Sequence, residues 1–182
     1  MVRALTAILL LSPHVPLLFM GQEWGEKRPY VFFCDFEGNL ADSIREGRRA
    51  EFEHFAAFRD PVARAGIPDP NDPASFAASK LDWAEREGPD GRAWLDFTAA
   101  LLAVRHREVV PLLAGARHGG RVVAAEAGVI AVDWPLDGAT LRLRANLDAA
   151  PAPVPPAAGR AIWGEAAATL PGFGVLFKVE AE

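Results

Sequence analysis

The chain has 182 residues, of which 51% are hydrophobic and 24% charged, and it carries a formal net charge of -5. That balance belongs to a globular chain of one domain or two small ones, not to a disordered one. It also excludes a nucleic-acid surface. Arg45, Arg48 and Arg49 alternate with Asp42, Glu46 and Glu51 and read as a solvated helix face. Cys34 is the only cysteine, which rules out an internal disulfide and a cysteine-based metal site. His14, His54, His106 and His118 show no ligand spacing, so no metal or other cofactor is expected.

Met1 to Arg3 followed by the apolar run Ala4 to Leu11 imitates a signal peptide. Ser12 to Pro16 interrupts it, however, and no small-x-small cleavage site follows. A membrane span needs about 20 uninterrupted apolar residues, so the segment is too broken for one. We read a buried helix over 3–12, a turn set by Pro13 and Pro16, and a buried strand over Leu17 to Met20. The strand runs into Gly21 and the polar, aromatic trio Gln22, Glu23 and Trp24. A barrel strand reads this way where it opens into an active-site loop.

Residues 21–39 hold Gly21, Gly25, Pro29 and Gly38 among aromatics and predict a long ordered loop. A helix is expected over about 40–58, with Phe52, Phe55 and Ala56 as its apolar stripe. Residues 59–75, with their DPNDP run, predict a loop, and Ala74 to Lys80 a short helical turn. Asp90 is placed as the N-cap of a helix from Gly91 to about Glu108. Trp94, Phe97, Leu101 and Val104 form its core face.

The hydrophobic period then changes from 3.6 to 2. Arg121 to Glu126 and Gly128 to Trp134 predict a hairpin, and Asp137-Gly138 a turn into a strand over Thr140 to Asn146. Leu141, Leu143 and Ala145 would face one way, and Arg142, Arg144 and Asn146 the other. Ala149 to Ala158 carries four prolines and reads as an extended loop. Ala161 to Gly164 and Phe173 to Val179 close the sheet.

The candidate binding residues are Gln22, Glu23, Trp24 and Asp35. Carboxylates and an amide hydrogen-bond polar groups of a ligand, and an indole ring covers an apolar ligand face. Trp24 could equally pack beneath its loop. Tyr30, Phe32, Phe33 and Phe36 read mainly as loop anchors. Ser79 to Trp83 reads as a staple. Asp42 and Glu46 read as helix-surface charges and not a catalytic pair. Trp134 and Trp163 are expected in the core against the last helix.

PHVPLLFMGQEWG resembles the eighth barrel strand and loop of the α-amylase superfamily. FFCDFEGNLADSIREGRRAEF, DPNDPASFAASKLDW and LLAVRHRE resemble, more narrowly, the maltooligosyltrehalose trehalohydrolase family. The resemblance implies an α+β fold: the last helix-strand-helix part of a (β/α)8 barrel over 1–110, then a small antiparallel β-sandwich domain over 111–182. It implies hydrolysis of the α-1,4 bond beside a terminal trehalose by a retaining mechanism, with two carboxyl groups about 5 Å apart. The catalytic Asp, Glu and Asp belong to the fourth, fifth and seventh strands, so no catalytic residue is assigned here. The implied partners are a maltooligosaccharide or trehalose-type glucan and a missing N-terminal barrel segment, with no nucleic acid and no membrane. A cytoplasmic location is expected. A branching-enzyme fragment and a non-catalytic glucan-binding module are the rival readings. An exposed apolar patch is expected around 3–20, where barrel neighbours would pack.

Overall fold

The computed structural model describes residues 1–52, 55, 60, 66–115 and 119–182. It comprises helices and antiparallel sheet, grouped into two compact units. One joins Met1–Glu23 to Ala93–Glu182, and the other is Trp24–Arg92. His54, His118 and Ala56 lie outside the described residues.

Helix α1 spans Val2–Leu11, α2 Gly38–Phe52, α3 Pro73–Ala78 and α4 Pro89–Val104. The strands are β1 Arg121–Glu126, β2 Val129–Leu136, β3 Ala139–Asn146, β4 Ala152–Pro153, β5 Arg160–Trp163, β6 Thr169–Leu170 and β7 Val175–Ala181. Five of them form one antiparallel sheet in the order β1-β2-β3-β7-β5, while β4 and β6 make a separate ribbon. The first connection, Ala127-Gly128, has φ of 48° and 76°. Two left-handed residues match the twist of the flanking strands, although alanine adopts that region at a cost. Asp137-Gly138 makes the second connection as expected, pairing Leu136 with Ala139.

The sheet's inner face carries the alternation seen in the sequence. Leu141, Leu143, Ala145 and Phe177 are buried with Trp134, Leu136, and Ala7, Leu10 and Leu11 of α1. Trp134 stacks on Phe177 at 6.4 Å, and Phe97 of α4 meets Trp163 edge-on at 5.8 Å. Both tryptophans therefore pack in the core. Leu101 joins the same cluster, so α1 and α4 are the helical lid of this sheet.

The outer face departs from the simple alternation. Arg144 and Asn146 point away from the core yet are 2% and 0% exposed. The proline-rich segment after β3 folds over them. Arg144 donates to the carbonyls of Pro155 (2.9 Å) and Pro156 (3.0 Å), and Asn146 Nδ2 to those of Ala150 (2.7 Å) and Pro171 (3.0 Å). Prolines offer carbonyls without N–H groups, so a run of them needs donors from elsewhere. Asp133 completes the arrangement, accepting from Arg144 at 2.8 Å, Arg142 at 2.6 Å and Arg121 at 3.2 Å. Arg142 also pairs with Glu180.

After Val104 the last helix widens into a π-helical turn, Arg105–Val109, so the predicted helix to Glu108 ends one element early. The turn brings Arg105 beneath the end of α1, where its guanidinium donates to the carbonyls of Leu10 (2.8 Å), Ser12 (2.7 Å) and His14 (2.7 Å). These are acceptors that a helix end and the following turn leave open.

Three further expectations are corrected. Leu17 to Met20 forms no strand. Among the described residues no neighbouring strand pairs with it, and Val15 and Leu17 are 93% and 86% exposed. An extended segment becomes a strand only through a partner's N–H and C=O groups. Asp90 is not the N-cap of α4, because the helix begins at Pro89 and places Asp90 in its first turn. A carboxylate is still favoured there by the helix dipole, and it pairs with Lys27 at 2.9 Å. The sheet is also not a sandwich of two comparable layers. The expected apolar patch is present: Val2, Leu5, Leu9, Leu17 and Met20 are exposed. Among the described residues no helix is long and apolar enough to cross a membrane.

Unit Trp24–Arg92 is built differently. Among its described residues, few side chains are fully buried, chiefly Trp24, Ala41, Ile67, Pro70, Ser75 and Ser79. Side-chain to backbone hydrogen bonds hold it. Glu26 accepts from the N–H groups of Lys27 (3.0 Å), Arg28 (3.0 Å) and Asp82 (2.9 Å). Asn71 Oδ1 accepts from Phe36 N at 3.0 Å, and its Nδ2 donates to Ala41 O at 3.3 Å. The Ser79 hydroxyl lies 2.9 Å from Val31 N, Val31 O and Ser75 O.

Candidate functional site

Gly21, with φ of 86°, turns the chain into a short 3-10 helix, Gln22–Trp24. Gln22 is exposed at its start. Its Oε1 accepts from Phe19 N at 2.6 Å, so this end of the amide is engaged in the turn. Glu23 is half-buried and fixed through its own carbonyl, which accepts from Thr98 Oγ1 at 3.2 Å. No hydrogen bond or ion pair engages its carboxylate among the described residues.

Trp24 is 4% exposed, and its ring lies 5.0 Å from that of Trp83, which is 59% exposed. The open indole of this pair is therefore Trp83, with the Arg86 guanidinium 5.7 Å from its ring centre. Trp24 Nε1 is buried without a well-formed hydrogen bond. The nearby Glu26 carboxyl is pushed up by burial, but the N–H groups of Arg28, Asp82 and Lys27, with a contribution from the Trp24 indole, hold it below the usual carboxylate range. Trp24 lines a cavity of about 220 Å³ with Lys27, Glu85 and Asp90.

Asp35 lines a second cavity, of about 400 Å³, with Phe33, Cys34, Asn71, Asp72 and Phe76. It is exposed and makes no hydrogen bond or ion pair among the described residues. The two cavities share no lining residue. Asn71, Glu26 and Ser79 organise these walls and escaped the sequence reading. Their only signal was a short polar side chain or a carboxylate inside a turn-rich stretch, which is common to many loops. Asp42 pairs with Arg45 at 2.8 Å, as a helix-surface charge does. Among the described residues no group of three or more His, Cys, Asp or Glu could hold a metal ion.

Residues 117–177 match the domain of unknown function DUF3459. Over 104 residues the chain is 41% identical to the malto-oligosyltrehalose trehalohydrolase of Deinococcus radiodurans, covering 57% of this chain and 17% of that protein. Over 115 residues it is 42% identical to the enzyme of the same name from Arthrobacter ramosus, covering 63% of this chain and 19% of that one. This chain is homologous to part of the malto-oligosyltrehalose trehalohydrolases. It spans under a fifth of the length of these curated relatives. A solved structure described as a candidate alpha amylase from Salmonella typhimurium superposes with a TM-score of 0.87 at 41% identity, covering 99% of this chain and 30% of that one. The trehalulose synthase of Pseudomonas mesoacidophila MX-45 superposes with a TM-score of 0.59 at 20% identity, covering 98% of this chain and 38% of the other, a likeness of fold alone. The likeness to the Salmonella structure extends over nearly the whole chain.

Proposed function

We propose that these residues form the closing part of a trehalohydrolase-type glycosidase, residues 1–110 ending a (β/α)8 barrel and 111–182 forming its C-terminal β domain. The observation that carries this is the 41–42% identity to two trehalohydrolases. The exposed apolar side chains of Leu5, Leu9 and Leu17 support it, since they have the character of surfaces that neighbouring barrel elements cover. In this reading the retaining Asp/Glu chemistry belongs to barrel strands outside these 182 residues, and the chain alone turns nothing over. Gln22 and Glu23 offer hydrogen-bonding groups to a glucan, Asp35 offers another from its own cavity, and Trp24 acts with the Trp83 ring it supports. No cofactor takes part, and the complete enzyme is cytoplasmic.

A complementation assay tests this. A trehalohydrolase truncated to remove its matching region is mixed with the 182-residue chain, and trehalose release from maltooligosyltrehalose is followed. Neither piece alone should release trehalose, and the pair should. Turnover by the chain alone, or no turnover from a pair shown to associate, overturns the reading. The TM-score of 0.87 to the Salmonella structure favours a second reading, a portion of an amylase-type or glucan-branching enzyme. It is distinguished in the same assay by activity on plain α-1,4-glucan in place of the trehalose-ended substrate.

A further inference from the structure

The cavity at Asp35 has a composition that ordinary loop packing does not require. Two aromatic rings form one wall, Phe33 and Phe76, set edge to face at 5.1 Å. Lys80 Nζ lies 4.9 Å from the Phe76 ring centre and buttresses that wall. Opposite chemistry comes from Asp35, whose carboxylate has no partner among the described residues, and from Asp72. Asp72 spends one oxygen as the N-cap of α3, accepting from Ala74 N at 2.8 Å, and keeps the other. The frame is rigid. Asn71 ties Phe36 and Ala41 together, Cys34 N donates to Pro70 O at 2.8 Å, and Arg45 holds Asp69 at 2.5 Å.

Such a site suits a ligand with many hydroxyl donors and an apolar flank. Its two available carboxylates disfavour an anion. A divalent cation would need more donors than the residues here supply, since no group of three or more possible ligands is present among the described residues. A volume of about 400 Å³ falls within the range of small-molecule sites.

We propose that this cavity binds one glucosyl ring of a neutral oligosaccharide. Asp35 and the free oxygen of Asp72 accept from ring hydroxyls, and Phe33 and Phe76 cover an apolar face. The identity of the sugar rests on the glycosidase reading above; the class of ligand rests on the lining.

Cys34 supplies the test, because the chain's only cysteine lies in the cavity wall, its thiol donating to Asn71 Oδ1 at 3.4 Å. The rate of Cys34 alkylation by iodoacetamide is measured on the full 182-residue chain by mass spectrometry. Trehalose or maltotriose at tens of millimolar should slow alkylation several-fold, and equal sorbitol or magnesium chloride should not. Asp35→Asn and Phe76→Leu should each abolish the slowing. Each variant is compared with itself without sugar, since removing a nearby negative charge changes thiol reactivity on its own. Circular dichroism confirms that each variant is folded. No slowing by either sugar, slowing by magnesium alone, or full slowing retained in folded Asp35→Asn overturns the proposal. The readout needs no turnover, so its failure leaves the complementation result standing, and failed complementation leaves the alkylation result standing.

Discussion

The sheet unit and the Trp24–Arg92 unit reach order by opposite routes. In the first, backbone pairs with backbone across five strands, and a continuous cluster around Leu141 and Phe177 removes apolar surface from water. In the second, Glu26, Asn71 and Ser79 use side chains to satisfy the backbone of loops that have no ladder. The first arrangement draws its stability from area and is indifferent to any one polar group on its inner face. The second depends on a few atoms. Binding residues are expected on loops of the second kind.

The sharpest way to break that contrast is inside the sheet core. Phe177→Ala removes a side chain that is 0% exposed, and truncations of this kind cost about 3–5 kcal/mol. Chemical denaturation should show a large fall in midpoint. A loss below about 1 kcal/mol would mean the core is not the main support of this unit.

Asp133→Ala comes next. Arg144 is 2% exposed and Arg142 half-buried, so removing their shared carboxylate strands two guanidinium groups, at a cost of about 3–5 kcal/mol where burial is complete. Acid should reproduce part of this. Burial pushes the Asp133 carboxyl up, but Arg144, Arg142 and Arg121 outweigh it and hold it below its ordinary value. A depressed carboxyl contributes stability that is full above the unfolded pKa, about 3.9, and is lost as pH falls from there through the folded pKa. Denaturation of wild type against Asp133→Asn between pH 5 and pH 2, roughly the span of that titration, should show a shallower acid slope in the variant. Equal slopes would remove the linkage.

Asn71→Ala tests the loop unit. It leaves Phe36 N and Ala41 O without their partner, and about 1–3 kcal/mol is the penalty for such a group when fully buried. Partial exposure places the effect at the lower end. Limited proteolysis should speed up within 24–92 while the sheet strands stay protected. Unchanged cleavage would show that the loop is held elsewhere.

The smallest effect should come from Asp35→Ala. The carboxylate is exposed and has no partner among the described residues, so stability should move within about 0.5 kcal/mol. A larger loss would make Asp35 a structural residue and remove its case as a ligand group.

Much of the sheet was legible because its signals are local. Alternation over Thr140 to Asn146, Asp137-Gly138 and the apolar stripe from Trp94 to Val104 each fix a backbone shape within a few residues. The candidate site was legible only in kind. Gln22, Glu23 and Asp35 could be named as polar groups in an aromatic loop, but nothing near Asp35 in sequence indicates that Asn71, Asp72 and Phe76 build the other walls of its cavity. The strand at Leu17 to Met20 failed for a related reason: its apolar pattern is local, but pairing is a property of a neighbour.

By itself the sequence determined the helix and strand periods, the turn after Leu136, the lack of an internal disulfide and the resemblance of its motifs to a trehalohydrolase. Each of these depends on residues close together in the chain. Tertiary structure alone decided that Arg144 and Asn146 are buried beneath a proline-rich segment, that Arg105 closes α1, that Trp24 is covered while Trp83 is open, and that Asp35 faces a cavity. Those outcomes depend on which distant carbonyls, rings and carboxylates come within hydrogen-bond or contact range. Periodicity and composition carry no record of such distances.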